Sequence, residues 1–265
     1  MQIPSDYITV NKQSWNNRVA THLISDFYNM EGFLNGETSL NPIELDILGD
    51  IRGKNILHLQ CHFGQDSLSL SRLGASVTGV DLSDKAIEEG EKLAQKLGTD
   101  TQFICCDIYE LEQHLEEQFD IVFTSYGTIG WLPDLDLWAK LINQFLKPSG
   151  QFIFVEFHPI VWMFDDNFKK IQYPYFNEAP IIETETGTYA DRDAPISQAY
   201  ITWNHSLSEV ITSLINNGLS IKQFTEYNYS PYNCFNNTIE IQPKQYQIKD
   251  LENKIPMVYA LVATK

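Results

Sequence analysis

Two acidic residues stand where a carboxylate can read a nucleoside. Asp81 closes the run Val77-Thr78-Gly79-Val80, 17 residues beyond Gly64 in the loop Gln60-Cys61-His62-Phe63-Gly64. At a strand end it can accept hydrogen bonds from both vicinal hydroxyls of a ribose; the competing use is to cap the helix that opens near Ser83. Asp107, in Cys106-Asp107-Ile108, follows another apolar strand and can receive an adenine amino group or cap the turn behind it. His158, in Glu156-Phe157-His158-Pro159, follows a fifth strand, where an imidazole serves as a base, orients a substrate or simply bonds the backbone. His58, Cys61 and His62 invite a metal, but they run from a strand into a loop and no second ligand pair has matching spacing.

These positions have meaning only on an alternating scaffold. From residue 54, apolar strands at 55–59, 75–80, 102–105, 119–124 and 151–157 alternate with helices at 66–73, 83–97, 110–117 and 133–145. That rhythm predicts right-handed βαβ units and a parallel sheet covered on both faces. Ligands bind such a sheet outside the carboxyl ends of its strands, where strand order reverses. Residues 8–30 read as a helix with Trp15, Val19, His22 and Leu23 on one stripe, 31–41 as a loop, and Pro42 as the first turn of a short helix. After residue 158 the rhythm breaks. Residues 159–203 are rich in aromatic rings and carboxylates and predict short antiparallel strands, clearest at 199–203. Ser206-Leu207-Ser208-Glu209 is a capping box for a helix that Gly218 ends. A sixth strand at 219–227, a loop-like insertion at 230–255 and a seventh strand at 257–264 follow. The expected organisation is one α/β domain over 1–265: an N-terminal helical lid (1–41), a cofactor-binding core (42–158), a β-rich insertion (159–205) and the rest of the core (206–265).

The 265 residues are 43% hydrophobic and 20% charged, enough for one large core. Eighteen Lys and Arg stand against 35 Asp and Glu, a net charge of −17 that disfavours phosphate backbones and anionic lipid. No apolar run approaches the roughly 18–20 residues that span a bilayer. Met1-Gln2-Ile3-Pro4-Ser5-Asp6 shows no signal-peptide pattern. Cys61, Cys105, Cys106 and Cys234 form no CxxC pair and suit a reducing cytoplasm. The expected partner is a small molecule, neither nucleic acid nor membrane, and the expected state is monomer or homodimer.

The segments Ile56-Leu57-His58-Leu59-Gln60-Cys61-His62-Phe63-Gly64, Gly79-Val80-Asp81, Cys106-Asp107-Ile108, Phe119-Asp120-Ile121-Val122 and Leu146-Lys147-Pro148-Ser149-Gly150-Gln151 resemble the class I S-adenosylmethionine-dependent methyltransferases over about residues 40–158. The resemblance implies a Rossmann-like, seven-stranded, mostly parallel sheet with helices on both faces, its seventh strand antiparallel between the fifth and sixth. It implies S-adenosylmethionine as cofactor, bound by Gln60, His62, Gly64, Asp81, Leu82, Asp107, Ile108, Ser125 and Tyr126. Tyr7 and Trp15 join them from a helix that resembles the one closing over the cofactor in this family. The first loop departs from the family's acid-x-Gly-x-Gly-x-Gly: those places hold His58, Gln60, His62 and Gly64. Gln60 and His62 are therefore expected to reach the cofactor through side-chain hydrogen bonds to its amino-acid end. The missing Gly-x-Gly-x-x-Gly argues against a nicotinamide dehydrogenase, whose pyrophosphate needs the glycine loop.

Methyl transfer is an in-line displacement that needs an aligned nucleophile, exclusion of water and, for some acceptors, a base, for which His158 is the candidate. Aromatic faces and carboxylates favour the sulfonium. Trp162, Trp203, His205, Tyr229 and Tyr232 fall on segments expected to fold over the same opening and predict an aromatic acceptor pocket. The expected function is methyl transfer to a small molecule. The altered loop suggests one alternative, a non-catalytic small-molecule binding protein of the same fold. A protein or nucleic-acid acceptor is disfavoured by the charge.

Overall fold

The computed structural model describes residues 3–265. In chain order its strands are β1 (Asn55–Leu59), β2 (Ser76–Asp81), β3 (Gln102–Cys105), β4 (Phe119–Ser125), β5 (Leu146–Phe157), β6 (Ile181–Thr186), β7 (Ser197–Thr202), β8 (Ser220–Tyr227), β9 (Thr238–Gln242), β10 (Gln245–Ile248) and β11 (Val258–Thr264). Its α-helices are α1 (Tyr7–Ile24), α2 (Met30–Leu34), α3 (Pro42–Leu48), α4 (Gln65–Arg72), α5 (Asp84–Leu97), α6 (Leu135–Phe145) and α7 (Leu207–Asn216). Seven strands form one sheet in the order β3-β2-β1-β4-β5-β11-β8. The first five pair in parallel, and β11 runs antiparallel to both of its neighbours.

The inner strands β1, β4, β11 and the second half of β5 are largely apolar because both faces are covered, whereas the edge strands β3 and β8 are more exposed. Successive residues point to opposite faces: Leu57, Val122 and Phe154 join one core with Trp138 of α6 and Leu214 of α7, while Ile56, Ile121 and Ile153 join the other with Leu48 of α3 and Leu70 of α4. Trp138, fully buried, packs edge-on against Phe152 and Phe154. Helix starts follow the capping residues: Ser83 accepts from Ala86 N, Asp134 from Asp136 N and Leu137 N, and Ser206 from Glu209 N. Gly98 ends α5 in the left-handed conformation. The chain runs outward from β1 to β3 and returns to β4 on the other side of β1, so strand order reverses between β1 and β4.

Several expected elements differ. The 8–30 helix stops at Ile24, and Asn29, left-handed, starts the separate α2. The acidic segment after β3 is a 3-10 turn, Ile108–Gln113, capped by Asp107. Residues 230–255, expected as loop, contain the antiparallel hairpin β9–β10. The aromatic insertion, by contrast, holds short antiparallel strands as expected: an antiparallel bridge joins Phe164 to Ile171 and the hairpin β6–β7 covers 199–202. Asn11 of α1 pairs with its edge: the amide donates to Ile201 O and accepts from Ile201 N, each at 2.8 Å. No helix among the described residues is long and apolar enough to cross a membrane.

Candidate active site

The first loop leaves β1 with Gln60 and His62 both in the left-handed region, at φ 55° and 52°. Non-glycine residues adopt this conformation at a cost, so the backbone keeps a glycine-like path although the glycines are gone. Both side chains are fastened to protein. Gln60 Nε2 donates to Thr128 O at 2.8 Å, and His62 Nε2 lies 2.9 Å from His22 Nδ1 of α1. Burial holds both imidazoles neutral, His22 pushed down to about 3 and His62 well below its ordinary value. Gly64 alone is irreplaceable here: it is left-handed, and a Cβ would collide with the Phe103 ring. His58, where the family's acid stands, is buried with Nδ1 2.7 Å from Ser67 Oγ, and burial lowers its pKa to about 3.

Asp81 Oδ2 accepts from His62 N at 2.7 Å and Oδ1 from Ser83 N at 2.8 Å. One carboxylate therefore ties the first loop to the start of α5. Burial raises its pKa to about 6, with those amides opposing the shift. Asp107 Oδ1 accepts from Tyr109 N at 3.0 Å, which makes it the cap of its turn while it still faces the opening.

These groups line one cavity of about 1140 Å³ at the carboxyl edge of the sheet. It contains Tyr7, Trp15, Gln60, His62, Gly64, Asp81, Leu82, Asp107, Ile108, Ser125 and Tyr126, together with Trp162, Trp203, His205 and Tyr232. Tyr7 meets Trp203 edge-on, and Trp15 packs on both His62 and Trp131. Leu82 and Ile108, next in sequence to Asp81 and Asp107 respectively, add apolar side chains to the lining. Ser125 Oγ donates to Asp66 Oδ2 at 3.3 Å, and the Tyr126 hydroxyl to Glu44 Oε2 at 2.9 Å. Trp162, 40% exposed, sits at the rim against Phe157 and Phe235. His205 is buried, with Nε2 donating to Leu132 O at 2.8 Å and Nδ1 3.0 Å from Glu209.

Two expected members lie elsewhere. His158 is buried off the cavity wall: Nδ1 accepts from Ile160 N at 3.2 Å, and Nε2 lies 3.0 Å from Glu226 Oε1 on β8, out of line for a hydrogen bond. Its flanking residues Phe157 and Pro159 line the cavity, so alternation along the strand end turns the imidazole away. Tyr229 packs on Tyr227 outside the cavity. Gln60 and His62 each spend one side-chain nitrogen on Thr128 and His22, while Gln60 Oε1 and His62 Nδ1 stay buried without a hydrogen-bond partner.

Other wall residues carried no sequence signal. Arg18, 3% exposed, holds its guanidinium 5.3 Å from the Trp15 ring and 5.7 Å from the Trp131 and Tyr200 rings, and pairs with Glu185 at 2.9 Å. Glu156 accepts from the backbone amides of Gly127, Thr128, Ile129 and Phe157 and so shapes the loop after β4. Glu183 accepts from the Tyr173 and Tyr200 hydroxyls. Among the described residues no group of three or more His, Cys, Asp or Glu is arranged for a metal ion. The residues do fit a nucleoside. Besides Asp81 and Asp107, Gln60 and Trp203 line the cavity, and Gln60 Oε1 and Trp203 Nε1 are buried without a hydrogen-bond partner.

Residues 56–150 match the family model of the methyltransferase domain. Residues 56–150 thus carry the sequence pattern of a methyltransferase domain, set in the Rossmann-like sheet described above. An uncharacterized protein of Haemophilus influenzae is 24% identical over 263 residues, 92% of this chain and 96% of that one. A ubiquinone biosynthesis O-methyltransferase of Coxiella burnetii is 29% identical over 135 residues, which are 50% of this chain and 57% of that protein's length. Among solved structures, Burkholderia thailandensis 1,6-didemethyltoxoflavin-N1-methyltransferase, with bound 1,6-didemethyltoxoflavin and S-adenosylhomocysteine, is 17% identical. That likeness covers 100% of this chain and 91% of that chain at a TM-score of 0.58, and it shows the fold.

Proposed function

We propose that this protein moves the methyl group of S-adenosylmethionine to a small molecule enclosed under α1 and the β6–β7 hairpin. The carrying observation is the cavity itself. Its volume of about 1140 Å³ exceeds what a nucleoside cofactor needs, and small-ligand sites run to about 300–1,000 Å³. Beyond the first loop its walls are aromatic rings and carboxylates, with Arg18 the buried cation among them. The net charge of −17 favours a compact acceptor over nucleic acid. The four cysteines are unpaired, which fits a reducing cytoplasm.

Bound S-adenosylmethionine would supply a methyl carbon activated by its sulfonium. Asp81 would take the ribose hydroxyls, Asp107 the adenine amino group, and Leu82 and Ile108 the faces of the base. Trp15, Tyr126 and Tyr232 would exclude water and present π faces toward the positive charge. The imidazoles of His58, His62 and His205 on the wall are each engaged with protein groups. Alignment and desolvation therefore carry most of the expected acceleration.

Incubation with S-adenosylmethionine and a panel of small phenols, amines and thiols, with detection of S-adenosylhomocysteine, tests the reading. Turnover of any acceptor supports it. Tight cofactor binding with no turnover across the panel favours the non-catalytic binding protein that the altered first loop suggests. No binding at millimolar cofactor overturns both.

A further inference from the structure

We infer that Asp66 seats the α-ammonium group of the cofactor's amino-acid tail; this rests on the methyltransferase reading and assigns a residue within it. Asp66 lies in the first turn of α4, two residues after Gly64, and lines the cavity. Four other carboxylates that line the cavity already have partners suited to them. Asp81 and Glu156 hold backbone amides, Glu185 holds Arg18, and Glu183 holds two tyrosine hydroxyls. Asp66 has only neutral hydroxyl donors, Ser125 and Ser39. Among the described residues, no Lys, Arg or His stands within ion-pair distance of it. Burial raises its pKa, with the Ser39 and Ser125 hydroxyls opposing the shift, so an opposite charge is what would hold it ionised. A buried carboxylate held only by hydroxyls is suited to an ammonium ion: opposite charge and charge-assisted hydrogen bonds act together. His58 cannot take the task, because its imidazole is neutral and bonded to Ser67.

The spacing agrees. Asp107 follows β3 and Ser125 ends β4, three strand intervals apart in the sheet. At about 4.8 Å per interval that is roughly 14 Å, the reach of an extended adenosyl amino acid with its adenine at Asp107.

Calorimetry tests this with two ligands: S-adenosylhomocysteine and 5′-methylthioadenosine, which has the same nucleoside thioether without the amino acid. Asp66→Asn keeps the shape and the serine contacts. It should weaken S-adenosylhomocysteine roughly tenfold to a hundredfold, the usual loss for a charged hydrogen bond, and leave 5′-methylthioadenosine within twofold. That second ligand also reports a folded site. Unchanged S-adenosylhomocysteine affinity overturns the assignment and leaves the carboxylate to an amine on the acceptor. Equal loss of both ligands overturns it in favour of a structural role. A wild-type protein that binds neither ligand removes the methyltransferase reading along with it.

Discussion

Asp81 holds two backbone amides while facing the space where a ribose would lie. Asp81→Ala leaves His62 N and Ser83 N without their acceptor. It should lower the unfolding free energy by about 1–3 kcal/mol in a denaturant titration, in addition to weakening S-adenosylhomocysteine. Asp81→Asn, which keeps one acceptor oxygen, should fall between. His158→Gln should leave S-adenosylhomocysteine affinity within twofold by calorimetry, since the ring faces β8 and Glu226; a tenfold loss would return it to the site. The sequence placed both residues at strand ends, because buried apolar runs with an abrupt polar close are a periodic signal. It was silent on which way His158 turns. That depends on one residue of alternation past the end of β5, and no pattern of apolar positions records it. Tyr229 was misplaced for a similar reason, since the path from residue 228 to 232 is set by the bridge of Ser230 to Tyr246 and the Ser230 hydroxyl's bonds to Tyr232, and not by periodicity. Gln60 and His62 are the converse case: their identity pointed away from the family's loop, while their backbone retains its shape.

At the scale of elements, the opening is covered by pieces that hold each other. α1 grips the first loop through His22 and His62, and it grips the hairpin through Asn11 and through Arg18 to Glu185. Asn11 acts as a short extra strand on the open edge of β7. Asn11→Ala should raise hydrogen exchange at the Ile201 amide and speed S-adenosylhomocysteine dissociation severalfold, with exchange in β1 and β4 unchanged. Uniform acceleration through the sheet would instead indicate global destabilisation. The parallel strands and capped helices were legible because short-range rules fix them. The pairing of a helix residue with a hairpin 190 positions later was not, because an isolated buried asparagine carries no local pattern. The β9–β10 hairpin was also hidden, its residues too polar to stand out as strands.

Over the whole molecule, buried titratable groups pull stability in opposite directions. Glu44, fully buried, is raised from its ordinary 4.5 to about 7, chiefly by desolvation. The folded state binds that proton more tightly than the unfolded chain, so its contribution diminishes as pH climbs from about 4.5 through 7. His22 and His58, lowered to about 3, do the reverse and favour folding as pH rises from about 3 to their ordinary 6.5. Glu44→Gln carries no charge at any pH. It should melt above wild type at pH 8, by at most on the order of 2–3 kcal/mol, and lose that advantage at pH 5. Thermal unfolding at the two values measures this, and a difference that stays constant would show that the ionised carboxylate is tolerated without penalty.

The placing of β11 between β5 and β8 has a consequence for biosynthesis. The middle strand of that trio is translated after both neighbours. Until residues 258–264 leave the ribosome, β5 keeps one bare apolar edge and β8 has no partner to join. A nascent chain halted just short of Val258 should be cut readily by protease near residues 220–227 and attract holding chaperones, whereas emergence of the next seven residues closes the gap in the sheet.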